Sequence, residues 1–133
     1  MSSVVLDACA LIAYLRDEPG GDQLEEKLTQ PGERVLMHVL NLGEVYYDGL
    51  RRGDETIVDL WKDVSDLGII VRRDVDDGFI AAAARWKARH RIAYADSFAL
   101  ALADKESASL VSTDHKEFDS IAAEGKVKFL WLR

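Results

Sequence analysis

The chain has 133 residues, a length that suits one domain with its own hydrophobic core, and we expect a single domain over residues 1–133. Its apolar content of 48% and charged content of 31% are ordinary for a globular protein, and no segment approaches the roughly 20 apolar residues that cross a membrane. The net charge of −7 argues against a protein that holds nucleic acid by bulk electrostatic attraction.

The amino-terminal segment and the cysteine count bear on the compartment. The sequence does not open with a basic segment followed by a long apolar stretch, so we expect no secretory signal. Cys9 is the one cysteine, which excludes an internal disulfide and fits a reducing, cytoplasmic setting. We interpret Cys9 as a small buried residue rather than as a nucleophile.

Short β-rich runs alternate with longer helical patterns along the chain. The patterns predict strands over 3–6, 34–39, 69–72, 109–113 and 127–131, and helices over 8–16, 21–29, 41–52, 55–67, 75–90, 95–105 and 115–123. Short apolar strands that alternate with helices are typical of a parallel sheet covered on both faces. The sequence therefore predicts an α/β fold, a three-layer α/β/α sandwich around a central, mainly parallel five-stranded sheet.

Two carboxylates directly follow apolar runs that are predicted as strands. Asp7 ends the run Val4–Leu6, and Asp114 follows the strand predicted over 109–113. Ligands bind at the carboxyl ends of the strands in open parallel sheets, near the point where the strand order reverses. We therefore expect Asp7 and Asp114 to lie together at this edge, although they are about a hundred positions apart in sequence.

Two further acids, Glu44 and Asp96, interrupt hydrophobic stretches that are predicted as helices. The helical face of Asp96 carries Ala99, Leu100 and Ala103, so its side chain points inward among small apolar residues. Both acids are predicted near the first turn of their helices, where the helix dipole favours negative charge. Both can then reach the same edge of the sheet as the acids that follow strands.

Four carboxylates held out of water need a partner of opposite charge, and a cation can supply it. Ligands that are all oxygen select hard ions, so we expect Mg²⁺, with Mn²⁺ as a substitute, at Asp7, Glu44, Asp96 and Asp114. No Cys-x-x-Cys or His-Glu-x-x-His motif competes with this interpretation. Several carboxylates around one or two divalent ions are typical of phosphodiester hydrolysis by an activated water.

Polar neighbours of these acids are candidates for supporting hydrogen bonds. Thr113 precedes Asp114, Ser97 follows Asp96, and Asn41 lies one helical turn before Glu44. For Asn41 and Ser97, helix capping is an equally good interpretation, whereas the position of Thr113 favours support of the site.

A fifth acid, Asp119, is interpreted as structural. The basic clusters at 51–52, 72–73 and 85–91 are interpreted as solvated surface that leaves room for a rim contacting phosphate.

The ordered motifs VVLDACALIAYL (4–15), NLGEV (41–45), AYADSFALA (93–101) and LVSTDHKEF (110–118) resemble those of the PIN-domain family. Within that family the likeness is greatest to the small VapC-type toxins of prokaryotic toxin–antitoxin modules, and it covers essentially the whole chain. Each motif is weak alone, but the ordered set is specific. One departure is His38, where relatives often carry a small hydroxyl residue.

The resemblance implies a Mg²⁺- or Mn²⁺-dependent endoribonuclease. By motif, Asp7, Glu44, Asp96 and Asp114 take the four acidic positions of the family, with Thr113 in the position of the supporting hydroxyl. The partners that it implies are the RNA substrate, a cognate antitoxin whose C-terminal segment covers the acidic site, and a second copy in a homodimer or a toxin–antitoxin hetero-oligomer. It implies no membrane partner.

Two other functions remain open from the sequence. The same site would serve a housekeeping nuclease in RNA processing, which the absence of a neighbouring antitoxin gene would favour. A metal-binding or receiver-like signalling module also carries acids at strand ends, but it usually has an acidic pair after the first strand, whereas Ala8 and Cys9 follow Asp7 here.

Overall fold

The computed structural model describes residues 2–133 and contains one five-stranded sheet. The strands are β1 (Ser2–Leu6), β2 (Glu33–His38), β3 (Ile70–Arg72), β4 (Ser109–Ser112) and β5 (Phe129–Trp131). The helices are α1 (Ala8–Leu15), α2 (Gly21–Thr29), α3 (Val39–Arg51), α4 (Leu60–Asp66), α5 (Asp77–Arg89), α6 (Tyr94–Glu106) and α7 (His115–Glu124), and a 3₁₀ helix spans Glu55–Asp59. Within residues 2–133, none of the helices combines the length and the hydropathy that a membrane span requires.

The strand order is β3-β2-β1-β4-β5, and every neighbouring pair is parallel. The order reverses between β1 and β4, whose register pairs Leu6 with Val111. All five carboxyl ends therefore face one edge of the sheet, and the crevice between β1 and β4 is where such sheets bind ligands.

The helices cover both faces of the sheet, as the pattern of apolar strands predicts. Successive residues of a strand point to opposite faces, so Val4 and Leu6 pack on one side and Val5 on the other. Helices α1 to α4 supply the core on the first side, with Leu11 among its buried residues. Helices α5 to α7 supply the core on the second side, with Phe98 among them. The three-layer α/β/α architecture is confirmed.

Three details differ from the prediction. The sheet is wholly rather than mainly parallel, and the segment 55–67 forms a 3₁₀ helix followed by α4 rather than one continuous helix. The third helix begins at Val39, two residues before the predicted start, so Glu44 lies in its second turn and not near its first. The helix dipole therefore does not favour the charge of Glu44, contrary to the prediction, since that effect fades within the first turn.

His38 explains the early start of α3. Its Nδ1 accepts a hydrogen bond from the Leu40 amide at 3.2 Å, as an N-cap side chain does. Because Nδ1 is the acceptor, the proton is on Nε2, which donates to the Asp74 carbonyl oxygen at 3.0 Å. The ring is fully buried and stacks on Phe79, and burial lowers the pKa of His38. The imidazole thus performs the capping role for which a small hydroxyl residue would serve.

Candidate active site

The four predicted acids lie together at the carboxyl edge of the sheet. Asp7 directly follows β1, Asp114 follows β4 by two residues, Asp96 is in the first turn of α6, and Glu44 projects from α3. Three of them open into a cleft of about 310 Å³, and Asp7 is buried next to them. The cleft is lined by Ala8, Cys9, Ile12, Glu44, Tyr47, Asp48, Arg51, Ala93, Asp96, Asp114 and Glu117.

Two elements, α1 and β4, hold the side chain of Asp7. It is the N-cap of α1, where its Oδ1 accepts from the Ala10 amide at 2.8 Å, while its Oδ2 accepts from the Ser112 hydroxyl at the end of β4. The side chain is only 1% exposed. Burial raises the pKa of Asp7 to about 7 against these two hydrogen bonds, and the charges of Asp114 and Glu44 add to the rise.

Asp96 shares this electrostatic environment. The pKa of Asp96 is raised to about 7, first by burial and then by the negative charges of Glu44, Asp7, Glu117 and Asp114. Each carboxylate makes it harder for the others to ionise. Such an arrangement lowers the stability of the folded protein unless a positively charged partner binds, and for this reason it is typical of functional sites.

Asn41, one helical turn before Glu44, connects α3 to α6. The Asn41 side-chain amide donates to the Ala95 carbonyl oxygen at 3.1 Å, directly before Asp96. Asn41 does not cap its own helix, because that position belongs to His38. Burial raises the pKa of Glu44, and Asn41 offsets part of the rise. The Glu44 Oε1 atom is buried without a hydrogen-bond partner among the described residues.

Glu117, like Asp48, is a further acid of the cleft that the sequence interpretation did not include. Asp114 caps α7, its Oδ1 accepting from the Glu117 amide at 3.1 Å, and its Oδ2 lies 3.9 Å from Cys9 Sγ. An acid three residues after an N-cap is the capping-box pattern, and that spacing was visible in the sequence. Asp119, which the sequence analysis interpreted as structural, pairs with His115 at 2.7 Å.

The supporting hydroxyl belongs to Ser112 rather than to Thr113. Ser112 Oγ donates to Asp7 and accepts from the Asp114 amide at 2.9 Å, so it joins the acids of β1 and β4. Within residues 2–133, the Thr113 side chain makes no hydrogen bond. Ser97, for which the sequence left helix capping and site support equally open, donates its hydroxyl to the Tyr94 carbonyl oxygen of its own helix.

The donor set of the cleft suits a hard divalent cation. Its acids offer only oxygen, and Glu44 Oε1 and Glu117 Oε2 are buried with no hydrogen-bond partner in the part of the chain that the structure describes. Within residues 2–133, no three Asp, Glu, His or Cys side chains already surround one point in ligating geometry. Mg²⁺ commonly takes one or two carboxylates and keeps several waters, so the cleft fits it without a complete cage of protein ligands.

Comparisons with known proteins agree with this architecture. A family model described as the PIN domain matches residues 4–124. No curated protein sequence matches the chain significantly.

Among solved structures, DNA-bound VapBC from Salmonella typhimurium is 13% identical, with all of both chains covered and a TM-score of 0.72. VapBC-1 from nontypeable Haemophilus influenzae is 15% identical over 98% of both chains, with a TM-score of 0.71. VapC20 from Mycobacterium tuberculosis, a toxin that cleaves the Sarcin-Ricin loop, is 16% identical over 82% of this chain and 86% of that chain, with a TM-score of 0.65. These likenesses establish a shared fold. With the family model spanning most of its length, the chain belongs to the PIN-domain family.

Proposed function

We propose that this chain is a metal-dependent endoribonuclease, the toxin of a toxin–antitoxin module, which hydrolyses RNA phosphodiester bonds. The observation that carries the proposal is the pair Asp7 and Asp96, whose pKa values burial and neighbouring acids raise to about 7 at the switch point of the sheet. Such a pair is costly to ionise unless a cation joins it. Mg²⁺, with Mn²⁺ as a substitute, is the cation whose ligand preference fits.

Asp7, Asp96, Glu44 and Asp114 are the residues that would hold the ion. A bound divalent cation lowers the pKa of a water ligand and stabilises negative charge on a phosphate and its leaving oxygen. The protein keeps Asp7 fixed through the Ala10 amide and the Ser112 hydroxyl, so this carboxylate does not have to reorganise.

Cys9 does not compete as a nucleophile in this scheme. Burial raises the pKa of its thiol to about 12, and the surrounding acids contribute to the rise, so it remains a neutral thiol at neutral pH. Attack by water, rather than by a side chain of the cleft, is therefore the reaction that this chain favours.

The toxin assignment is supported by the solved structures that share the fold, since two are of VapBC and a third is of VapC20, a toxin that cleaves the Sarcin-Ricin loop. By this analogy one partner is an antitoxin, and the second copy of the chain is proposed from the resemblance of the sequence motifs alone. A receiver-like module has the strand order 2-1-3-4-5, which differs from the 3-2-1-4-5 order found here.

The test is cleavage of cellular RNA by the purified protein with Mg²⁺, with Mn²⁺ and with EDTA, followed by sequencing of the new 5′ ends. Asp7→Asn and Asp96→Asn should abolish cleavage while the fold is retained. Asp76→Asn is a matched control. Asp76 caps α5 as Asp7 caps α1, because its Oδ1 accepts a hydrogen bond from the Phe79 amide at 2.8 Å, but Asp76 is exposed and lies away from the cleft.

Cleavage that persists in both site variants, or that EDTA does not affect, would contradict the proposal. Growth arrest on expression of the wild type, but not of Asp96→Asn, separates a toxin from a housekeeping nuclease. A housekeeping enzyme predicts cleavage without growth arrest.

A further inference from the structure

One large aromatic side chain is exposed at the lip of the acid cleft. Tyr47 lines the cleft and is 65% exposed, although an aromatic ring gains most from burial. Its neighbour Tyr46 is half-buried and packs on Trp61 with the ring centroids 5.4 Å apart. Tyr46 therefore packs against the core, whereas Tyr47 faces the cleft and the solvent.

Tyr47 shares a helical face with an acid of the site and with a cation. Glu44, Tyr47 and Arg51 lie at positions i, i+3 and i+7 of α3, and all three line the cleft. At 1.5 Å of rise per residue, Tyr47 lies about 4.5 Å and Arg51 about 10 Å beyond Glu44 along the axis. The Arg51 guanidinium is 5.9 Å from the centroid of the Tyr47 ring, so the two groups are adjacent.

Arg51 supplies positive charge where the cleft is otherwise negative. Among the residues that the structure describes, it is the one cation that lines the cleft. Asp48 pairs with both Arg51 at 3.1 Å and Arg52 at 3.0 Å, so two guanidinium groups share one carboxylate and leave a net positive charge. Burial alone would raise the pKa of Asp48, but the hydrogen bonds from the two arginines lower it, so it stays ionised at neutral pH.

We propose that Tyr47 and Arg51 position the RNA, Tyr47 by stacking on a base next to the bond to be cleaved and Arg51 by pairing with a backbone phosphate. The inference rests on the proposed ribonuclease function and extends it to the form of the substrate. A base in a duplex is already stacked on its neighbours, so an aromatic platform selects RNA whose bases are free, in a single strand or a loop.

Arg52 provides the matched control for Arg51. It is on the same helix, pairs with the same Asp48 and carries the same charge, but it lines a neighbouring groove with Leu15, Arg16 and Ile57 instead of the acid cleft. Loss of general attraction for RNA would affect Arg51→Ala and Arg52→Ala alike. Loss of a positioning contact would affect Arg51→Ala alone.

The experiment measures the binding of a fluorescein-labelled single-stranded RNA of mixed sequence, and of its duplex, by anisotropy in Mg²⁺. The Asp96→Asn background prevents cleavage from interfering. Tyr47→Ala and Arg51→Ala should each weaken the Kd for the single strand at least about fivefold, whereas Tyr47→Phe, which keeps the ring, and Arg52→Ala should stay within about twofold. In the cleaving protein, Tyr47→Ala should raise KM more than it lowers kcat, and Tyr47→Phe should restore it.

Unchanged binding in Tyr47→Ala, equal losses in the two arginine variants, equal losses for the duplex, or no RNA binding would each overturn the inference. Failure of the ribonuclease function looks different. In that case the wild type never cleaves RNA, yet the Asp96→Asn protein binds single strands with the expected dependence on Tyr47. This result would refute the ribonuclease activity but not the binding of RNA by Tyr47 and Arg51.

Discussion

Replacing Asp7 by Asn should stabilise the metal-free protein at alkaline pH. The amide keeps an oxygen that accepts from the Ala10 N–H and gains an N–H₂ that donates to Ser112 Oγ, so the cap survives without the charge. The folded-state pKa of Asp7, about 7, lies above its ordinary 3.8, so the folded chain holds this proton more tightly than the unfolded chain. The stabilising contribution of this proton is present at low pH and is lost as pH rises from about 4 through 7.

The size of the effect follows from the two pKa values. At about 1.4 kcal/mol per pKa unit, the difference between the folded-state and the ordinary pKa of Asp7 lowers the free energy of unfolding by as much as about 4 kcal/mol at pH 8. The neutral amide of Asn does not incur this loss. At pH 4 both side chains are largely neutral, and the two proteins should unfold alike. Because the Asp7 charge also raises the pKa of Asp96, the difference between the two proteins includes the repulsion between these two carboxylates, which acts in the same direction.

The assay is urea unfolding in EDTA, followed by circular dichroism at pH 4, 6 and 8. Asp7→Asn should gain free energy of unfolding relative to the wild type as pH rises, while the exposed cap variant Asp76→Asn should show no such trend. Added Mg²⁺ should restore wild-type stability at pH 8 and affect Asp7→Asn far less. An Asn variant that is less stable than the wild type at pH 8, or equally shifted at pH 4 and 8, would refute the reasoning.

Three further substitutions test individual contacts. Ser112→Ala should weaken Mn²⁺ binding at least about tenfold in calorimetric titrations, while Thr113→Ala should change it less than about twofold. His38→Ala should lower the free energy of unfolding by about 3 kcal/mol in urea melts, since it removes a cap and leaves a cavity, and a loss under about 1 kcal/mol would contradict that role. Gly49→Ala should cost about 1–3 kcal/mol, because the new Cβ would lie 2.8 Å from Ile57 Cβ; an unchanged melt would show that α3 yields freely.

The sequence located the ends of β1 and β4 well, for a physical reason. An apolar run that stops at an acid marks both the buried strand and its exit, and parallel strands bring their carboxyl ends to one edge. The parallel arrangement of β1 and β4 is enough to bring Asp7 and Asp114 together. Asp96 followed from the small apolar residues on its helical face.

The details that were missed depend on side-chain geometry that a single sequence does not encode. Ser112 contacts Asp7 because the register pairs Leu6 with Val111 and so places Ser112 across from the end of β1. Choosing between two adjacent hydroxyls requires that register. The start of α3 was missed because imidazole is an unusual cap, so His38 gave no capping signal.

We propose that the four acids Asp7, Glu44, Asp96 and Asp114 bind one divalent cation together. A calorimetric titration with Mn²⁺ at pH 7 measures this binding. The wild type and Asp76→Asn should bind the ion and release protons, because Asp7 and Asp96 are partly protonated at this pH. Asp7→Asn and Asp96→Asn should each bind at least about tenfold more weakly. No binding by the wild type, or unchanged affinity in both site variants, would contradict the account.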